Sequence, residues 1–128
     1  MMIRLGWLSD IHFDFLDDSA RLAFLVGLAS RPVDAWLLGG DIGDARSVVP
    51  FLRQFHDQVP VPIYFVLGNH DFYYSSIAVV REQVGECVRY CSRLAWLTGS
   101  GAQFLSPTLA LVGDDSWADA RFGDAERS

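Results

Sequence analysis

The chain contains no lysine, and all ten of its basic residues are arginine. That absence excludes a Schiff-base lysine, the lysine of a phosphate-binding P-loop and the lysine a phosphoacceptor receiver domain needs. Acidic residues outnumber basic ones, sixteen to ten, and a net charge of -6 without any basic run argues against nucleic acid as a partner. An anionic substrate would need something other than clustered cations to attract it. Cysteine is scarce too. Cys87 and Cys91 stand four apart, on one face of a helix, and no second pair completes a zinc site, so they read as reduced packing thiols. No apolar run approaches the roughly 18 residues that cross a bilayer. The opening MMIRLGWLSD reaches Asp10 too soon for a secretory leader. These absences predict a cytoplasmic chain with no membrane partner.

What is present is a globular composition. Of 128 residues 51% are hydrophobic, enough for one core and too few residues for two. Ile3 to Leu8, Asp34 to Leu38 and Ile63 to Leu67 read as short buried strands. Between and after them, helical spacing runs over Ser19 to Ala29 with Ser19 as N-cap, about Ser47 to Asp57 with Pro50 in its first turn, and Ser76 to Ser92. Short strand-like pieces follow at Ala95 to Leu97, Gln103 to Leu105 and Ala110 to Val112, with a turn at Thr98 to Gly101 between the first two. The alternation βαβαβ, followed by a helix and short strands, predicts a parallel α/β sheet. The expected domain covers 1–118, with a polar tail at 119–128 that frays.

Each of the first three strands ends in a polar cluster: Asp10 and His12, then Asp41 and Asp44, then Asn69, His70 and Asp71. A parallel sheet puts all strand C-termini on one edge, where ligands bind, so clusters about 30 residues apart in sequence converge. Asp10 and His12 are two apart, and in an extended segment both would point to the same side. A carboxylate with an imidazole makes a mixed oxygen and nitrogen pair suited to Mn, Fe or Zn. Taken alone, that pair is explained about as well by a solvent-facing Asp and a packed His. Asp41 follows two glycines that allow close backbone approach, and its two oxygens could bridge two ions roughly 3.5–4 Å apart. The Gly-Asp turn could equally cap the next helix, with Asp44 as N-cap. Asn69 offers a neutral oxygen ligand, and His70 beside it suits general-acid work near neutral pH. An αL turn with an incidental histidine explains GNHD less well, because it leaves three polar groups unaccounted for.

Asp10-x-His12, Gly40-Asp41-x-x-Asp44 and Gly68-Asn69-His70-Asp71 resemble, in order and spacing, the first three motifs of the calcineurin-like metallophosphoesterases. The resemblance runs from Ile3 to Tyr74, and more loosely through VGDDSWAD at 112–119. It implies the N-terminal half of a four-layer α/β/β/α sandwich and a hydrolase acting on phosphate mono- or diesters through a metal-bound hydroxide. By that resemblance Asp10 and His12 hold one metal, Asp41 bridges two, and Asn69 binds the second and touches the phosphate. His70 also contacts substrate and protonates the leaving group, and Asp44 orients His70. Two divalent ions, Mn, Fe, Zn or Mg, would supply the positive field the side chains lack. The substrate would be a small phosphoester or a nucleotide.

The departures set further expectations. No histidine follows His70, where the family carries more histidine ligands, and His56 sits in the second helix away from the strand ends. Ala45, not arginine, follows Asp44. The chain therefore reads as an N-terminal portion that holds one metal, with activity low or absent as it stands. The alternative is a non-catalytic metal- or phosphate-binding α/β module of the same ancestry. Self-association could complete the sheet or the site. Phe72, Tyr73 and Tyr74 either line the mouth or pack, and Asp114 and Asp115 read as a solvated turn.

Overall fold

The computed structural model describes residues 2–116, so the expected tail at 119–128 and the last residues of VGDDSWAD lie outside the described residues. In chain order the elements are β1 (Leu5–Leu8), α1 (Asp18–Ala29), β2 (Ala35–Leu38), α2 (Val48–Gln58) and β3 (Ile63–Phe65). They continue with α3 (Ile77–Tyr90), β4 (Leu94–Trp96), β5 (Gln103–Ser106) and β6 (Leu109–Leu111). Strands β1 to β4 form one parallel sheet in sequential order, and β5 pairs antiparallel with β6 in a separate two-stranded sheet.

Sequential order combined with right-handed crossovers places α1, α2 and α3 on the same face of the sheet. The registers align Leu8, Leu38, Phe65 and Trp96 in one row on that face, and Gly6, Trp36, Ile63 and Leu94 in another. The helices supply the other half of the core: Leu25 and Leu28 from α1, Val48, Phe51, Leu52 and Phe55 from α2, and Val80, Val84 and Cys87 from α3. Each set recurs at three- and four-residue intervals, which is why these stretches fold as helices rather than strands. On the opposite face Trp7 is 70% exposed.

Local chemistry sets the helix starts. Asp17, not Ser19, caps α1: its Oδ1 accepts the Ala20 amide at 2.8 Å. Ser76 caps α3 in the same way through the Val79 amide, and Pro50 falls in the first turn of α2 where its missing N–H leaves nothing unpaired. The strand-like piece expected at Ala95 to Leu97 is β4, Leu94–Trp96. It joins the main sheet as a fourth parallel strand, because α3 carries the chain back along the sheet before it enters. Cys87 and Cys91 are free and buried, and burial pushes the Cys87 thiol up to about 11, so it is an inert packing group. Among the described residues no helix is long and apolar enough to cross a membrane.

Candidate metal centre

The loops that follow β1, β2 and β3 lie side by side at the carboxyl edge of the sheet. Backbone bonds lace the first to the second: the amides of Asp10, His12 and Phe13 donate to the carbonyls of Gly40, Asp41 and Ile42 at 3.0, 3.0 and 2.8 Å. Side-chain carboxylates lace the second to the third. Asp71 is fully buried, its Oδ1 accepting the amides of Ile42 and Gly43 and its Oδ2 that of Gly68, each at 2.9 Å. In return Asp41 Oδ1 accepts the His70 amide at 3.0 Å. Two glycines let these loops meet. A methyl group at Gly40 would lie 2.7 Å from the Gly68 nitrogen, and one at Gly68 would overlap the Asp41 carboxylate.

Asp10, His12 and Asp41 converge here, with one ligand atom from each within 4.8 Å of the others. His12 Nε2 stands 3.8 Å from Asp41 Oδ2. The convergence does not come from an extended Asp10-Ile11-His12 segment, as the spacing alone suggested. Asp10, His12 and Asp41 all have positive φ, 55°, 43° and 50°, and the only other described non-glycine residue to do so is Tyr74. Left-handed backbone costs a non-glycine residue about 1–2 kcal/mol. Three such residues on one ligand set are held there by the interloop bonds, and strain gathered in this way marks functional sites. The set fits a divalent cation: two carboxylates and an imidazole are a mixed hard and borderline donor group, and Asp10 is open to solvent. Asp41 has one oxygen toward His12 and the other toward the third loop, so it stands between the Asp10/His12 loop and the loop that carries Asn69 and His70.

Asn69 and His70 occupy a short 3-10 turn, Asn69–Phe72. The His70 ring meets the His12 ring edge-on at 5.1 Å and lies 4.4 Å from the Tyr73 ring, while Phe15 stacks on His12 at 5.3 Å. Asn69 Nδ2 donates to the Tyr73 hydroxyl at 3.3 Å. All of Asp10, His12, Asp41, Asn69 and His70 therefore belong to one edge of the sheet.

Asp44, expected to orient His70, bonds within its own turn in this structure. Its carboxylate pairs with the Arg46 guanidinium, Oδ2 to Nη2 at 2.8 Å, and also accepts the Arg46 amide at 2.8 Å, and no hydrogen bond joins it to His70. Arg46 lies two residues along the same turn and reaches the carboxylate first. It also keeps that carboxyl below the ordinary Asp range, chiefly by side-chain hydrogen bonding and against the opposing effect of burial. Arg46 in turn lies over the Tyr74 ring at 3.9 Å. His56, in α2, contacts Asp57 at 3.5 Å.

Sequence reasoning missed two residues. Asp71 was grouped with its neighbours without a task of its own, and burial pushes it up to about 6 even though three backbone N–H groups favour its charge. Asp115 is not a solvated turn residue. It is buried, and its Oδ1 accepts the Leu67 amide at 2.7 Å and Trp96 Nε1 at 3.2 Å, pinning the end of β3 from 48 residues away. The signal for Asp71 was its place after GNH in a turn rich in unpaired amides; Asp115 carried no local signal. Of the three aromatics, Phe72 goes into the core, whereas Tyr73 and Tyr74 are exposed at the site.

The family model described as calcineurin-like phosphoesterase matches residues 3–122 of this chain. No curated protein and no solved structure matches it.

Proposed function

Because the chain belongs to the calcineurin-like phosphoesterase family, we propose that it is a metal-dependent hydrolase of phosphate mono- or diesters, acting at the carboxyl edge of its parallel sheet. The observation that carries this reading is the convergence of Asp10, His12 and Asp41, each held in left-handed backbone, at the edge where the third loop presents Asn69 and His70. The four-strand parallel sheet with its helical layer corresponds to the N-terminal half of the family's fold.

In this reading Asp10, His12 and Asp41 would hold a divalent ion, and Asp41 with the Asn69 carbonyl would hold a second. Ions of the Mn, Fe, Zn or Mg kind, when bound, would supply the positive charge that an acidic chain lacks and would lower the pKa of a nearby water. The chain's own residues do the rest. Asn69 and His70 contact the phosphoryl oxygens, and His70 gives its proton to the departing oxygen. The hydrogen bond from the His70 backbone amide to Asp41 Oδ1 ties the backbone that carries the general acid to the carboxylate that serves both ions. Asp44, bonded to Arg46 and Ser47, shapes the turn that carries Asp41 rather than orienting His70 directly. The substrate is a small phosphoester or a nucleotide.

The test is hydrolysis of chromogenic phosphate mono- and diesters by the 128-residue chain with added Mn²⁺, against Asp41→Asn. Metal-dependent turnover lost in the variant supports the reading. Metal binding with no turnover in either form sinks it in favour of a binding module.

A further inference from the structure

Asp44 is bonded to Arg46, yet His70 is not loose in its turn. What touches its ring is aromatic. Tyr73 lies against one side at 4.4 Å with the planes at 33°, and the His12 ring meets it edge-on at 5.1 Å. The same tyrosine reaches the other polar side chain of the loop, its hydroxyl accepting Asn69 Nδ2 at 3.3 Å. That bond uses an amide proton and none of the acceptor capacity of the Asn69 carbonyl, the end of the amide a cation or phosphate proton needs.

Tyr73 is well placed to transmit order. Its own amide donates to the His70 carbonyl and its carbonyl accepts the Ala45 amide, both at 3.1 Å, so its backbone is anchored to the third and second loops together. Phe72, just before it, is 7% exposed in the core, whereas Tyr73 is 44% exposed. The buried neighbour fixes the chain and the tyrosine faces the site. A ring contact sets the plane of an imidazole by dispersion and shape, adding no charge to a site already rich in carboxylates.

We propose that Tyr73 is a positioning residue for this site, holding Asn69 through its hydroxyl and His70 through its ring. This rests on the phosphoesterase reading for its catalytic consequence, although the geometry itself is tested without turnover. Tyr73→Phe removes the hydroxyl and keeps the ring; Tyr73→Leu removes both. In nuclear magnetic resonance spectra of the metal-free chain, the Asn69 side-chain amide protons move in both variants. The His70 ring protons, which sense the Tyr73 ring current, move in Tyr73→Leu and stay in place in Tyr73→Phe. On a chromogenic ester with Mn²⁺, kcat falls roughly ten-fold or more in Tyr73→Leu, a share of the roughly 10²–10⁴ that a positioned general acid contributes, and Tyr73→Phe restores part of it. Unmoved His70 and Asn69 resonances in Tyr73→Leu overturn the proposal, as does unchanged kcat. If Tyr73→Leu does not fold, Tyr73→Phe decides: the Asn69 protons must move while those of His70 do not. If the parent chain hydrolyses nothing while the resonances move as stated, the phosphoesterase reading fails and the positioning of the two side chains stands.

Discussion

The second and third loops of the site are tied to each other by buried carboxylates that accept backbone amides, whereas the hydrogen bonds from the first loop to the second run from backbone to backbone. Asp71 is fully buried and divides its oxygens among three amides, and Asp41, 8% exposed, returns the bond to His70. Asp10 is exposed, and its carboxylate meets the neighbouring Ser9 hydroxyl at 2.5 Å. The difference separates two tasks. The Asp41 carboxylate, between the first and third loops, is fixed before anything binds, and the entropy of ordering it is spent in folding. The outer carboxylate bonds to its own neighbour Ser9 and does not tie one loop to another.

That contrast can be broken at the buried side first. Asp71→Ala strips three buried amides of their acceptor and should cost about 3 kcal/mol or more, read as a shift in denaturant midpoint. A loss under about 1 kcal/mol would mean the loops are held by something else, since one unsatisfied buried group alone is worth that much. Gly40→Ala is next. With φ at 100° and the Gly68 nitrogen 2.7 Å from the new methyl, it should lose about 1–3 kcal/mol and reduce metal-dependent activity with it.

On the exposed side the expectation reverses. Asp10→Asn should change stability by no more than about 0.5 kcal/mol, as surface substitutions do. Its Mn²⁺ affinity should nevertheless fall at least roughly ten-fold by calorimetry, since even groups outside the ligand shell cost that much. A large stability loss there would erase the distinction between the loops.

The smallest effect concerns Arg46, which is largely exposed and holds Asp44 below its ordinary pKa. A carboxyl lowered in the folded state adds stability that is present above its unfolded pKa and lost as pH falls through its folded one. Arg46→Gln should therefore be slightly less stable than the parent near neutral pH, with the gap closing as the pH drops below about 4. A gap that persists in acid would assign the effect to Arg46 packing on Tyr74 instead.

The strands and helices were legible because their signals are local. Leu52 and Phe55, or Val80 and Val84, repeat at helical spacing, and Ile63 to Phe65 is a short apolar run bounded by Pro62 and Gly68. The cap of α1 slipped from Ser19 to Asp17 because either residue type caps a helix and the helix simply began earlier. The partner of β4 could not be read, since pairing depends on where α3 returns the chain. Asp44 shows the same limit in the site: its residue type suited an acid that orients His70, and a neighbouring arginine captured it.

By itself the sequence determined the family, the parallel α/β alternation and the identity of the side chains at each strand end, because residue type, order and spacing carry all three. The tertiary structure alone decided how those side chains meet. The left-handed backbone at Asp10, His12 and Asp41, the three amides gathered by Asp71, and the reach of Asp115 to Leu67 exist only when loops distant in sequence press together. No single segment would adopt that strained backbone by itself. The bonds that hold it come from the neighbouring loops, and those bonds form only once the sheet has brought the strand ends to one edge.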